Sequence, residues 1–226
     1  METTKLENLI KQSLIELAKI ANESDGKKSV KKQTSKLIFP IYSSGVKRVS
    51  EQEARFLFVR ELENSENFKG YYSIETPTSD LYKFSDKDDR EFEPKKGEGK
   101  SASFDLTIYD IYDEKFKRAN FIEFKNENVY TIKKDFLKLL CDKDNTTNYL
   151  IHTIKSENSG TIPSIVCKYK ETINFIDKDK IISTLKIILF NINKPTQVIW
   201  FDNFSEIISF NKEEPERHKK YLEIQK

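Results

Sequence analysis

Charged side chains lie inside two consecutive apolar segments of strand-like sequence, and this feature constrains the fold more than any other. Asp105 lies within the first segment, Ser101–Asp110. Glu123 and Lys125 lie within the second, Ala119–Lys125. Burying a charge is costly unless the charge is paired or bound to an ion. The two strands are therefore expected to lie side by side in a sheet that brings their charged residues together.

The two-residue period of a strand assigns these side chains to faces. Glu123 and Lys125 share one face of their strand. On the first strand, Phe104 and Leu106 are expected to point away from the face that carries Asp105. Two carboxylates and an ammonium group on adjacent strands can hold a hard divalent cation and stabilise developing negative charge. A half-exposed sheet face, where Glu123 and Lys125 form only a surface ion pair, is the alternative.

The rest of the pattern predicts an α/β protein. Apolar residues recur at helical spacing in several segments, and shorter apolar runs bounded by turn-forming residues predict strands. The predicted helices are Lys5–Asn22, Ser50–Glu63, Thr131–Cys141, Lys178–Asn191 and a short one after Pro215. Besides the two charged strands, which polar residues 110–118 join as an antiparallel hairpin, the predicted strands are Tyr71–Thr78, Asn148–Ile154, Ile162–Tyr169 and Gln197–Phe201.

Composition limits the classes of function. Two His and two Cys in 226 residues make a His-rich zinc site or a His-based nucleophile system unexpected. The net charge is only +2, so a nucleic-acid surface has to come from local clusters of basic residues. Residues 24–36 hold five lysines and one acid, which fits either a solvated linker or a phosphate-binding arm. No apolar run approaches the roughly 20 residues of a membrane span, and we expect a soluble, cytoplasmic protein.

The order of these elements resembles the PD-(D/E)xK nuclease superfamily, which has a restriction-endonuclease-like fold. The resemblance covers residues 49–140, where a helix, a strand, the Asp strand, a hairpin, the Glu-x-Lys strand and a helix follow one another. It implies an α/β nuclease-like domain over residues 37–226, with a central mixed β-sheet flanked by helices and a C-terminal α/β extension. Residues 1–36 are then an N-terminal helix and a basic linker. One departure is that Phe104 stands where the family has a proline before its Asp.

The resemblance also implies roles for individual residues. The metal-binding carboxylates would be Asp105 and Glu123, with the backbone carbonyl of Phe124 as a further ligand. Lys125 would be the catalytic lysine. Members of the superfamily often place a glutamate near the metal from the helix that precedes the sheet.

Glu53 is the predicted third acid, because the segment that begins at Ser50 looks like that preceding helix. Its other role is structural, since Ser50 and Glu53 have the spacing of a capping box. Glu75, on the next strand, is the competing candidate. Lys133 and Lys134, on the helix after the Glu-x-Lys strand, are expected to contact a nucleic-acid backbone.

The function that the resemblance implies is hydrolysis of phosphodiester bonds by an endonuclease that depends on Mg²⁺ or Mn²⁺. DNA is the expected substrate, and restriction or anti-phage defence is a fitting role. A homodimer or a protein partner that supplies targeting is compatible with this function. Two alternatives stay open: a non-catalytic module on the same fold that binds nucleic acid or a partner, and a nuclease that acts on RNA or branched DNA.

Overall fold

The computed structural model describes residues 3–23, 35–45, 47–84, 95–127, 129–156, 158–211 and 219–222. Most of the predicted basic arm, residues 24–34, lies outside these ranges, and so does most of the predicted C-terminal helix. In the described parts of the chain, no helix is both long and apolar enough to cross a membrane.

One mixed β-sheet with helices on both faces makes up the fold. The helices are α1 (Thr3–Glu23), α2 (Glu51–Asn64), α3 (Ile132–Cys141), α4 (Thr161–Phe175) and α5 (Phe204–Ser209). The strands are β1 (Tyr71–Lys83), β2 (Lys95–Lys96), β3 (Lys100–Tyr112), β4 (Lys115–Asn126), β5 (Thr147–Ile154), β6 (Thr184–Asn191), β7 (Gln197–Phe201) and β8 (Lys219–Tyr221). The eight strands lie in the order β2-β1-β3-β4-β5-β6-β7-β8. The predicted α/β class with a helix-flanked mixed sheet is therefore confirmed.

The two faces of the sheet bury separate apolar clusters. β4, β5 and β6 are parallel, and the other paired neighbours are antiparallel. The connections β4–α3–β5 and β5–α4–β6 place α3 and α4 against one face, in one cluster of buried residues. Helices α1 and α2 pack on the other face, in a second cluster. The charged strands β3 and β4 thus lie between α2 on one side and α3 on the other.

Helix α2 is anchored at both its N-terminus and its apolar face. Ser50 and Glu53 form the predicted capping box, and Leu57 and Phe58 are buried against the sheet. The side-chain amide of Asn126, the last residue of β4, donates to the carbonyl of Val49 at 2.8 Å. The first turn of α2 therefore lies beside the carboxyl end of β4.

Three of the predicted elements differ from the structure. Ile162–Tyr169, predicted as a strand, belongs to helix α4, in which Ile165, Val166, Tyr169 and Ile173 are buried at helical spacing. Lys178–Asn191, predicted as a helix, contains a short 3-10 turn at Lys178–Lys180 and then strand β6. Because both faces of β6 are covered, its residues Ile187–Phe190 form a continuous apolar run that lacks strand alternation. The last strand, β8, also lies where a helix was predicted.

Phe104 and Leu106 are two residues apart on β3 but lie in different apolar clusters. Phe104 stacks on Phe121 with ring centroids 4.0 Å apart and belongs to the α3 face, whereas Leu106 belongs to the α2 face. The prediction that both point the same way is therefore wrong. On the neighbouring β1, Glu75 has a φ of 52°, in the left-handed region that non-glycine residues seldom adopt. Asp105 lies between Phe104 and Leu106, where the side chains of β3 pass from one cluster to the other.

His152 gives the fold a specific sensitivity to acid. The side chain is fully buried, and its Nδ1 lies 2.6 Å from the hydroxyl of Tyr169. Burial lowers the pKa of His152 to about 3, from 6.5 for an exposed histidine. Between pH 6.5 and pH 3, His152 is therefore protonated in the unfolded chain but not in the folded chain. The free energy of unfolding decreases as the pH falls through this range.

We expect this one group to remove about 2 kcal/mol from the free energy of unfolding between pH 7.5 and pH 5. His152→Asn, which keeps an acceptor for Tyr169, should lose that part of the pH dependence. Urea unfolding of both proteins at the two pH values measures it. Parallel pH profiles for the wild type and the variant would show that His152 does not titrate in this way.

Candidate active site

The strands β3 and β4 separate at the first predicted metal ligand. Their ladder has its last pair at Leu106 and Ile122. One residue further on, Asp105 Oδ2 accepts a hydrogen bond of 2.8 Å from the backbone N–H of Phe124. The carboxylate of Asp105 thus accepts a backbone hydrogen bond from β4 and lies in the gap between the two strands. The donor, Phe124, directly follows Glu123 in β4.

Helix α3 presents a polar stripe to this gap. The N-cap residue Thr131 and the helix residues Asp135 and Lys138 follow one another at spacings of four and three, which places them on one side of the helix. The Lys125 ammonium lies 2.9 Å from Asp135 Oδ2 and donates to Thr131 Oγ1 at 3.0 Å. The predicted catalytic lysine is thus held by the helix that follows its own strand.

Lys138 connects the stripe to the second predicted metal ligand. Its Nζ donates to Glu123 Oε1 at 2.6 Å and to the carbonyl of Ser103 at 2.8 Å, and it lies 3.4 Å from Asp135 Oδ1. The Lys138 and Glu123 side chains are 3% and 4% exposed. This pair is buried, so breaking it from one side would leave an uncompensated charge.

Helix α2 supplies charges from the opposite side. Arg55 Nη1 lies 3.7 Å from Asp105 Oδ1 and forms a closer ion pair with Glu75. Glu51 Oε1 accepts a hydrogen bond of 3.3 Å from the backbone N–H of Asn126. The structure therefore brings the three principal predicted residues, Asp105, Glu123 and Lys125, into one ionic network between α2 and α3.

The two predicted candidates for a third acid lie at different places. Glu53 accepts hydrogen bonds from Ser50 and lies 3.5 Å from Arg48, so it serves the helix terminus. Glu75 is 55% exposed and is bound by Arg55, with a further hydrogen bond from Ser103 Oγ. The Arg55 hydrogen bond is the main cause of a lowered pKa of Glu75. The acid of α2 that acts electrostatically on the network is Glu51.

The network carries more negative charge than its cations offset. Burial is the main cause that raises the pKa of Glu51, Asp105 and Glu123, and nearby carboxylates add to it. For Lys125 and Lys138, burial alone would lower the pKa. Carboxylates outweigh it, chiefly Asp135 for Lys125 and Glu123 for Lys138, and raise both values. A further positive charge would therefore be stabilised here.

The predicted nucleic-acid-binding lysines lie on the flanks of α3. Lys133 Nζ is 4.6 Å from the ring centroid of Phe175, and Lys134 Nζ is 5.0 Å from that of Phe84. Both side chains are half-buried. The structure therefore places both lysines beside the ionic network rather than within it.

The donor chemistry of the network fits a hard cation. Among the described residues, no three His, Cys, Asp or Glu side chains form a group that could hold a metal ion. Asp105, Glu123 and the carbonyl of Phe124 nevertheless offer only oxygen, which suits Mg²⁺ or Mn²⁺ better than a soft metal. The ammonium of Lys138 already sits among oxygens of Glu123, Ser103 and Asp135. This arrangement shows that the site accommodates positive charge.

Sequence reasoning missed four charged residues that complete this network. They are Glu51 and Arg55 on α2, and Asp135 and Lys138 on α3. A signal for each pair exists in the sequence, because Glu51 and Arg55 are four residues apart and Asp135 and Lys138 belong to the polar stripe.

Among known protein families, curated proteins and solved structures, none matches this chain.

Proposed function

We propose that this protein is a metal-dependent endonuclease that hydrolyses phosphodiester bonds in DNA, with a core of the PD-(D/E)xK type. One observation carries the proposal: β3 and β4 separate where Asp105 and Glu123 lie, and Lys125 joins them in the same ionic network. An Asp on one strand and a Glu-x-Lys on its antiparallel neighbour is the arrangement that the resemblance implies. Helices on both sides of this gap keep the charges in place.

Asp105, Glu123 and the carbonyl of Phe124 would hold the cation. A bound Mg²⁺ would polarise the scissile phosphate and lower the pKa of an attacking water. Asp135 and Thr131 hold the ammonium of Lys125 in a fixed position. Lys125 would thereby offer a preorganised positive charge to the phosphoryl oxygens as negative charge develops on them. Arg55, which lies near Asp105, would be a second group that binds the phosphate.

A non-catalytic module is the competing function, and one observation favours it. Lys138 neutralises Glu123 in a buried ion pair, which can stabilise a fold without any metal. A cleavage assay distinguishes a nuclease from a binding module, because a binding module does not cleave nucleic acid.

The deciding experiment incubates the purified chain with duplex DNA, single-stranded DNA and RNA of the same sequence. Mg²⁺, Mn²⁺, Ca²⁺ or excess EDTA is present in parallel reactions. We expect cleavage of DNA with Mg²⁺ or Mn²⁺, little with Ca²⁺ and none with EDTA. Full activity in EDTA would contradict a metal-dependent mechanism. Preferential cleavage of RNA would show that RNA rather than DNA is the substrate. A lack of cleavage under every condition would favour the non-catalytic binding module.

Glu51 and Glu53 provide a matched pair of substitutions on α2. Glu51→Ala should lower the cleavage rate by about 10-fold, because Glu51 acts on the charges of Asp105 and Lys125. Glu53→Ala should leave the rate unchanged and cost about 1 kcal/mol of unfolding free energy, because it removes the capping box. Single-turnover cleavage and urea unfolding of both variants test this. The opposite pattern would make Glu53 the third acid.

A further inference from the structure

We propose that the ammonium of Lys138 takes the place of a second metal ion, so that the site binds one divalent cation per chain. This inference rests on the proposed nuclease function and concerns the number of ions in the same site. Lys138 Nζ has three oxygens around it: Glu123 Oε1 at 2.6 Å, the Ser103 carbonyl at 2.8 Å and Asp135 Oδ1 at 3.4 Å. An all-oxygen environment of this kind is what a hard metal ion would require.

The oxygens left over suffice for one ion. Glu123 Oε1 is engaged by Lys138, and Asp105 Oδ2 is engaged by the N–H of Phe124. One oxygen of each carboxylate and the carbonyl of Phe124 would then be the ligands of the cation. A two-metal site needs ions about 3.5–4 Å apart that share carboxylate ligands. The fixed ammonium on Glu123 occupies the place that the second ion would need.

Charge balance leads to the same number. The network contains four carboxylates, those of Glu51, Asp105, Glu123 and Asp135, and two ammonium groups, those of Lys125 and Lys138. When all six groups are ionised, their net charge is −2. Arg55 and Glu75 form an ion pair beside them and cancel each other. One divalent cation neutralises this charge. Two would replace the excess negative charge with an equal positive one, which burial penalises.

Burial keeps the lysine where it is. The Lys138 side chain is 3% exposed, and α3 holds it over the ring of Phe104, with Nζ 5.7 Å from the ring centroid. Moving it out would expose a buried charge pair and leave Glu123 without its partner. A dissolved cation therefore does not displace it as easily as it would displace a mobile surface lysine.

Lys138→Met keeps the length of the side chain and removes its charge. It frees Glu123 Oε1 and Asp135 Oδ1, so we expect the variant to bind two divalent ions where the wild type binds one. Lys186→Met is the matched control, since Lys186 is also ion-paired, to Glu7 at 2.6 Å and Asp202 at 3.1 Å, away from this network. The control should bind one ion.

The experiment counts bound Mn²⁺ per chain by calorimetric titration and by electron paramagnetic resonance of the free ion. Both are repeated with a saturating phosphorothioate duplex that resists cleavage, so that an ion recruited by the phosphate is also counted. Circular dichroism checks that each variant is folded. Lys138→Gln, which keeps a donor for the Ser103 carbonyl, replaces Lys138→Met if the latter does not fold.

We expect one bound ion in the wild type and in Lys186→Met, and two in the Lys138 variant. Two ions in the wild type would overturn the inference and leave the nuclease function intact. One ion in a folded Lys138 variant would also overturn it, because the ammonium would then exclude nothing. If the wild type binds no Mn²⁺ and cleaves nothing, the proposed function itself fails and this inference fails with it.

Discussion

Replacing Lys125 by Met is expected to lower the single-turnover rate of DNA cleavage by about 10²–10³-fold and to leave Mn²⁺ affinity near the wild-type value. The ammonium of Lys125 is held by Asp135 and Thr131. Removing it therefore takes no oxygen away from Asp105 or Glu123. In the proposed mechanism the variant loses a fixed positive charge that would act on the transition state, so the rate should fall while metal binding persists.

Lys117→Met is the matched control for that experiment. Lys117 lies on the same strand, close to the hairpin, with its Nζ 5.7 Å from the ring centroid of Tyr112. The control should cleave at the wild-type rate. Cleavage at the wild-type rate by Lys125→Met would remove the strongest reason to regard this protein as an enzyme of this class. A parallel loss of Mn²⁺ binding would instead show that Lys125 maintains the structure of the cation site.

Local patterns predicted the elements that carry the site. The alternation of polar and apolar residues located β3 and β4, and the capping box located the start of α2. Both are local signals, since they depend on neighbours along the chain. The same logic failed for β6, because a strand covered on both faces has no polar face to produce alternation. It failed for α4 because the Ile162–Tyr169 window was too short to include Ile173, the residue that completes its apolar stripe.

The predicted site was incomplete because ion pairs depend on tertiary packing. Nothing in the neighbours of Lys138 along the chain indicates a buried partner on β4. Its polar stripe, which includes Asp135, becomes informative only once α3 is known to pack over the gap between the strands. Glu51 and Glu53 show the same limit, because both suit the first turn of a helix and only one faces the network.

The proposed function gives Asp105 two tasks that a single substitution can separate. One carboxylate oxygen accepts the N–H of Phe124 where the ladder between β3 and β4 ends. The other lies 3.7 Å from Arg55 and is the oxygen that would bind the proposed cation. Asparagine has the same shape and retains a carbonyl oxygen for the first task. It lacks the negative charge that the second task requires.

Asp105→Asn should therefore fold like the wild type, yet lose at least about 10²-fold in Mn²⁺ affinity and about 10³-fold in cleavage rate. This combined loss differs from the result expected for Lys125→Met, which should lose cleavage activity but retain Mn²⁺ binding. Asp110→Asn, the same substitution further along β3, is the control and should change neither quantity. Mn²⁺ titration, single-turnover cleavage and thermal unfolding of the three proteins provide the comparison. Wild-type Mn²⁺ affinity in a folded Asp105→Asn variant would exclude Asp105 as a ligand, and the gap between the strands would then be only a structural ion-pair network.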